Sequence, residues 1–136
     1  MKYLITGGAG FIGSHIAQNL LERGETVRIL DNFSTGKREN IAELTRQFGR
    51  DQLEIQEGDV RDAAHVKAAV AGIEIIFHEA AFVSVPQSMD EPQECFDVNI
   101  TGTSQLFDAA RRAGVRRAVV ASSAAVYGDS DALPSV

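Results

Sequence analysis

Thr6-Gly7-Gly8-Ala9-Gly10-Phe11-Ile12-Gly13 is the segment of this chain with the clearest chemistry. It follows an apolar run and precedes an amphipathic one, so it reads as a glycine turn between a strand and a helix start. A turn of that kind aims several backbone N–H groups at one point beside the positive end of a helix dipole. Such a point binds a pyrophosphate. Two spacings fit, Gly8-x-Gly10-x-x-Gly13 and Gly7-x-x-Gly10-x-x-Gly13. One glycine permits the tight turn, one lets a phosphate approach the backbone, and Gly13 lets the helix lie close on the strand. Roughly 20 positions further on, where such sites keep an acid for ribose hydroxyls, stands Asp31. Strand, turn, helix, strand and acid in this order separate the pattern from a glycine-rich turn beside an ordinary surface aspartate.

The elements that must position these residues alternate along the chain. Lys2–Thr6 reads as a buried strand, and Phe11, Ile12, Ile16, Leu20 and Leu21 recur at helical spacing after it. Thr26–Leu30 reads as the second strand, ending at Asp31, and Asn32–Lys37 as a polar loop. A helix is expected over Glu39–Phe48, with Ile41, Leu44 and Phe48 on one face, and a third strand over Leu53–Glu57. After the turn Gly58-Asp59-Val60-Arg61-Asp62, Asp62 is placed to cap a short helix over Ala63–Ala71. Ile73–His78 is an apolar run suited to a strand covered on both faces. Ala80–Glu91 reads as a loop, Gln93–Ala113 as one long helix stopped by Gly114, and Arg117–Ser122 as a fifth strand. Strands alternating with crossover helices imply an α/β, Rossmann-like, doubly wound parallel sheet. Ligands in such sheets sit at the carboxyl ends of the strands, and there fall the glycine turn, Asp31, Asp59, Ala80 and Ser122-Ser123.

Composition narrows the function classes. At 136 residues the chain suffices for one domain with a core. A net charge of −6 argues against general affinity for nucleic acid or anionic membranes. The exception is the cluster Arg111, Arg112, Arg116 and Arg117, which reads as cations at a helix end rather than as a basic patch. Cys95 is the only cysteine, so no intrachain disulfide forms. It reads as a buried or semi-buried thiol in a reducing compartment. No ligand spacing suggests a metal. No signal peptide or membrane span is visible, so a cytoplasmic location is expected.

Together these segments resemble the extended short-chain dehydrogenase/reductase family, and within it the nucleotide-sugar epimerases and dehydratases. The resemblance is carried by Thr6–His15, Asp31–Gly36, Gly58–Asp62, His78–Ala81, Asn99–Thr103 and Ser122–Asp129, in family order over essentially the whole chain. It implies NAD as cofactor. Gly7, Gly10 and Gly13, with main-chain groups of Phe11 and Ile12, would carry the pyrophosphate. Asp31 would hold the adenosine ribose and repel a 2′-phosphate, with Asn32 and Ser34 on the same side. Asp59 and Val60 would flank the adenine, and Ala80, Ala81 and Phe82 would pass beneath the cofactor. Asn99 would tie the long helix to the loop after strand four, a role compatible with a helix amide bonded to backbone. Ser122 would stand at the cofactor. Ser123 would be the catalytic hydroxyl, bonded to the sugar oxygen being oxidised. Spacing alone leaves Ser123 evenly poised between that role and capping a turn, and the match to Ser-Ser-x-x-Val-Tyr-Gly decides for catalysis.

The resemblance also implies a first step in which a base takes the C4 hydroxyl proton and hydride passes to NAD, giving a 4-keto sugar and NADH. A dehydratase then needs an extra acid and base, which the family places as Asp-Glu directly after the catalytic residue. Here those positions are Ala124 and Ala125, which transfer no proton, so 4-epimerisation of a UDP-hexose is the expected activity. Ser84, in a loop Ser84–Ser88 like that of such epimerases, is expected to face the sugar, although a tight surface loop uses the same residues. The family's base belongs to a Tyr-x-x-x-Lys turn some two dozen residues past the catalytic serine. Tyr3 and Tyr127 are the only tyrosines, and neither has a lysine four residues later. Residues 1–136 are therefore expected to be the NAD-binding domain of a longer enzyme, lacking its C-terminal substrate region. Strand five would be an open apolar edge, and Phe96, Ile100, Leu106 and Phe107 would lack packing partners. The resemblance implies a homodimer through the long helix. Two other readings stay open: another nucleotide-sugar enzyme such as a decarboxylase or reductase, or a non-catalytic dinucleotide-binding module.

Overall fold

A computed structural model describes residues 1–128. Asp129, the last residue of the Ser122–Asp129 segment, lies outside them. Five strands form one parallel sheet: β1 (Lys2–Thr6), β2 (Thr26–Asp31), β3 (Leu53–Glu57), β4 (Ile75–His78) and β5 (Arg117–Val120). Their order across the sheet is β3-β2-β1-β4-β5, so the chain reverses direction of travel between β1 and β4. Alternation along β1 explains the two layers. Tyr3 and Ile5 face α1 (Phe11–Glu22) and α2 (Arg38–Gln47), in a core with Leu20, Leu21, Ile41 and Leu44. Leu4 faces the other way, toward α3 (Ala63–Val70) and α6 (Thr103–Ala113), in a core with Val66, Ile76 and Leu106. Among the described residues no helix is long and apolar enough to cross a membrane.

Several expectations are corrected. The Ala80–Glu91 loop contains a short helix, α4 (Val85–Asp90), with Pro86 in its first turn and the Ser84 hydroxyl accepting from Gln87 N–H at 3.3 Å. Proline at such a position is pre-set for helix entry. The long helix is not continuous. It comprises α5 (Pro92–Phe96), a π-helical turn over Asp97–Gly102, and α6. It stops as expected at Gly114, which takes φ +78°. β4 begins at Ile75 rather than Ile73, and β5 ends at Val120, so Ser122 and Ser123 lie past the strand. Leu106 does not lack partners; it is fully buried against the sheet, while Phe96, Ile100 and Phe107 are exposed. Phe11 and Ile12 also depart from the apolar stripe, at 78% and 60% exposed, because the first turn of α1 projects past the strand ends. Val119 and Val120 of the edge strand are exposed, as expected. Arg111 and Arg112 sit in the last turn of α6, paired with Asp108.

One buried charge ties sheet to helix. Arg28 of β2 is 7% exposed, and its Nη1 donates to the carbonyls of Ala68, Ala69 and Ala71 at 3.1, 2.7 and 2.8 Å. These are carbonyls at the end of α3, where the helix runs out of its own donors; only that of Ala68 has a backbone partner besides, the Ala71 N–H at 3.4 Å. Nη2 pairs with Glu54 at 2.9 Å. Replacing Arg28 with Met keeps the apolar stem but strands these carbonyls. Urea unfolding of Arg28→Met should show a loss of about 3 kcal/mol, and a change under about 0.5 kcal/mol would remove Arg28 from the account.

Candidate functional site

The reversal between β1 and β4 opens a crevice at the carboxyl ends of the strands, where the loop after β1 and the loop after β4 part. Those loops touch backbone to backbone at its floor. Gly7 has φ +71°, and a Cβ there would lie 2.8 Å from Ala80 N. A Cβ at Gly13 would collide with the Gly7 carbonyl oxygen. Gly10 is the N-cap of α1 and offers no side chain, and the first turn of α1 contains no acid. The N–H groups opening α1 thus face the crevice uncapped, beside the positive end of the helix dipole.

The crevice has a volume of about 800 Å³. Of the residues expected at the site, Gly7, Gly10, Phe11, Ile12, Asp31, Asn32, Ser34, Asp59, Val60, Ala80, Ala81, Phe82 and Ser84 line it. Gly13, Asn99, Ser122 and Ser123 do not. Gly13 acts from beneath, through its contact with Gly7. Asn99 sits in the π-helical turn and clamps the β4 loop: Phe82 N–H donates to its Oδ1 at 2.8 Å, and its Nδ2 donates to the Phe82 carbonyl at 3.0 Å. The helix-amide reading and the tying reading are thus one arrangement. Ser123 is exposed, and its hydroxyl accepts from Ala125 N–H at 3.1 Å, capping the 3-10 turn Ala124–Tyr127.

Charged groups divide the crevice into unlike ends. The Asp31 carboxylate is 7% exposed and held by Ala9 N–H at 2.9 Å and Phe33 N–H at 2.8 Å. Asn32 bridges the loops, accepting from Ser34 N–H and donating to Asp59 at 2.9 Å. Arg61 binds both oxygens of Asp59 and reaches Glu94 of α5 at 3.3 Å. That guanidinium holds the Asp59 carboxyl far below the usual carboxylate range. Near the floor the balance is opposite: burial pushes the Glu79 carboxyl up. Arg61, Glu79, Gln87 and Glu94 line the crevice without having been expected there. Arg61 and Glu79 lie within segments that carry the family resemblance. Gln87 and Glu94 depend on where α4 and α5 pack, for which the sequence holds no local signal.

These features fit a dinucleotide: a glycine cradle that a Cβ would fill, an uncapped helix start for a pyrophosphate, and a fixed carboxylate at the end of β2 for a ribose. Fold and crevice together define a Rossmann-type dinucleotide-binding domain. Residues 3–136 match the NAD dependent epimerase/dehydratase family, and the chain belongs to it. A UDP-glucose 4-epimerase of Klebsiella pneumoniae is 42% identical over 100% of this chain and 99% of that sequence. The chain spans only about two-fifths of the length of the other curated UDP-glucose 4-epimerases it matches, such as that of Streptomyces lividans, 41% identical with 40% of its length covered. Among solved structures, a UDP-glucose-4-epimerase from Stenotrophomonas maltophila with bound NAD has a TM-score of 0.88 at 36% identity, over 98% of this chain and 40% of that one.

Two outcomes follow from this geometry. Gly13→Ala places a methyl against the Gly7 carbonyl, and the turn must shift. Calorimetry should show NAD binding weakened at least tenfold, with a stability loss of about 1–3 kcal/mol; wild-type affinity would contradict the cradle. The second concerns His78, which is 4% exposed and whose imidazole burial holds below the ordinary value of 6.5. The unfolded chain therefore takes up that proton first, and the stability from the neutral ring is present above pH 6.5 and lost as pH falls below it. Tm should drop as pH falls below about 6.5, and His78→Gln should flatten that slope. Equal slopes would contradict it.

Proposed function

We propose that this chain is the NAD-binding part of a UDP-hexose 4-epimerase that inverts the sugar's C4 hydroxyl. The observation that carries the cofactor half is the convergence of the Gly7–Gly13 turn, the Asp31 carboxylate and the small residues Ala80 and Ala81 on one crevice. The N–H groups opening α1 would hold the pyrophosphate, and Asp31 the adenosine ribose hydroxyls. Its negative charge disfavours a 2′-phosphate. Asn32 and Ser34 would stand beside the ribose, Asp59 and Val60 beside the adenine, and Asn99 would fix the loop under the cofactor. NAD, when bound, supplies a hydride acceptor that returns the hydride to C4. Ser122 would stand at the cofactor. Ser123 would turn its hydroxyl from the Ala125 amide to the sugar oxygen and polarise it. Ser84, at the crevice wall, would meet the sugar. The base would be the tyrosine of a Tyr-x-x-x-Lys turn, a pattern that residues 1–136 do not contain.

Inversion rather than dehydration is favoured by Ala124 and Ala125 after Ser123, since neither can supply the acid or base for loss of water. The exposed edge strand and the exposed Phe96, Ile100 and Phe107 support a longer chain and a homodimer. With no membrane-crossing helix among the described residues, a cytoplasmic location is proposed.

The test is incubation of the enzyme carrying this segment with UDP-glucose, with products resolved by NMR. Conversion to the C4 epimer without net consumption of NAD is expected. Ser123→Ala should lower turnover about a hundredfold or more while NAD binding persists. A 4-keto-6-deoxy product would make it a dehydratase, and unchanged Ser123→Ala turnover would displace the catalytic assignment.

A further inference from the structure

His78 closes β4 and is buried, yet it is not itself a lining residue of the crevice, and among the described residues its ring has no charged partner. Its ring joins two hydroxyls. Nδ1 lies 2.6 Å from Thr6 Oγ1 and Nε2 lies 2.8 Å from Thr103 Oγ1. Thr6 Oγ1 also accepts from Ala80 N–H at 3.2 Å. Ala80 is the crevice-floor residue against which Gly7 packs. Phe107 lies edge-on to the ring at 6.1 Å, and Val120 is the register partner of His78 on β5.

The hydrogens of this chain can be assigned by elimination. Ala80 N–H donates to Thr6 Oγ1, so the Thr6 hydroxyl hydrogen needs an acceptor elsewhere. Among the described residues the only one within reach is His78 Nδ1. Thr6 is fully buried and Thr103 only half-buried, so the Thr6 hydroxyl takes Nδ1 as its acceptor, and the neutral imidazole carries its hydrogen on Nε2, which donates to Thr103 Oγ1. The run Ala80 N–H, Thr6 O–H, His78 Nε2–H, Thr103 points one way throughout, an arrangement in which each bond polarises the next.

From this we infer that Thr103 is a positioning residue for the cofactor crevice: through the Nε2–H tautomer of His78 it holds the Thr6 hydroxyl as acceptor for Ala80 N–H, and so fixes the backbone beneath the cofactor. Thr103 does not line the crevice; it opens α6, directly after the π-helical turn that carries Asn99. The Asn99 clamp on Phe82 and the Thr103 chain to Ala80 therefore hold the same loop from adjacent points of one helix. Without an acceptor at position 103, the buried Nε2–H is unsatisfied, and the one way to relieve it is to move the hydrogen to Nδ1. Nδ1 then becomes a donor, and the Thr6 hydroxyl hydrogen loses its acceptor.

This rests on the NAD reading of the crevice, and its test has a readout independent of it. Thr103→Val is nearly isosteric and removes the acceptor, while Thr103→Ser restores it. The Ala80 amide is followed by NMR hydrogen exchange in the 136-residue chain, and NAD affinity by calorimetry. In Thr103→Val, Ala80 exchange is expected to quicken and NAD binding to weaken, each about three- to tenfold, with both restored in Thr103→Ser. His78 ring nitrogen shifts should show hydrogen on Nε2 in the wild type and a move toward Nδ1 in Thr103→Val. Unchanged Ala80 exchange and ring shifts in Thr103→Val would overturn the inference. So would faster exchange with unaltered NAD affinity, or equal defects in the Val and Ser variants. A wild type that binds no NAD while Ala80 exchange still responds would overturn the cofactor reading and leave the hydrogen-bond chain standing.

Discussion

Everything at the carboxyl end of the sheet depends on one backbone-to-backbone contact, that of Gly7 with Glu79 and Ala80. With β1 between β2 and β4, the chain leaves β1 toward one side and β4 toward the other. The crevice between them is as narrow as the two backbones allow. Any side chain at Gly7 would wedge it open, and any side chain at Gly13 would push α1 away from the turn. The start of α1 can therefore stand at the crevice mouth with its N–H groups unpaired. An anion site made this way has no charged side chain at its centre. It is compatible with a chain whose net charge is −6, because the attraction comes from oriented peptide dipoles rather than lysines or arginines.

The acids around the crevice are managed in three different ways, and the differences sort the site. Asp31 is buried and held by two backbone N–H groups, which fix its direction and leave it with lone pairs for hydroxyl donors. Asp59 is saturated by Arg61 and Asn32, so it serves as a strut between loops. Arg61 continues that strut to Glu94, joining the loop after β3 to α5 across the crevice end. Among the described residues Glu79 has no such partner and meets only burial, which favours its neutral form. A polyanionic ligand thus meets helix N–H groups at the mouth and, toward the floor, a carboxyl whose charged form burial disfavours.

Legibility in the sequence followed the range of the forces involved. β1, β3 and the Asp62 cap match their expected bounds because strand alternation and capping are decided by neighbours in sequence. The glycine turn was readable for the same reason, since few residues other than glycine tolerate φ +71° at Gly7. Long-range facts were hidden. The π-helical turn interrupts what reads as uniform helix, and what it achieves, Asn99 against Phe82, is a contact 17 positions away. Leu106 looked unpartnered because its partners lie on β1 and α3. Phe11 and Ile12 fit the helical period of a core stripe but lie beyond the end of the sheet that would cover them.

Where the fold stops discriminating, two methyl groups take over. A doubly wound sheet with this crevice gives a cofactor a place to accept hydride, and that much is common to every reaction proceeding through a 4-keto sugar. What separates inversion from loss of water is whether an acid and a base wait beside the sugar after the first step. Those groups must lie within a few ångströms of the reacting carbons, and residues next to the one proposed to polarise the sugar oxygen are the first candidates to supply them. Ser123 opens the 3-10 turn, and Ala124 and Ala125 are its first two residues. All three are exposed and stand outside the crevice lining, and alanine at both positions offers neither acid nor base. On the proposed reading, a 4-keto sugar beside Ser123 would receive no proton transfer from these two positions, which favours return of the hydride over elimination.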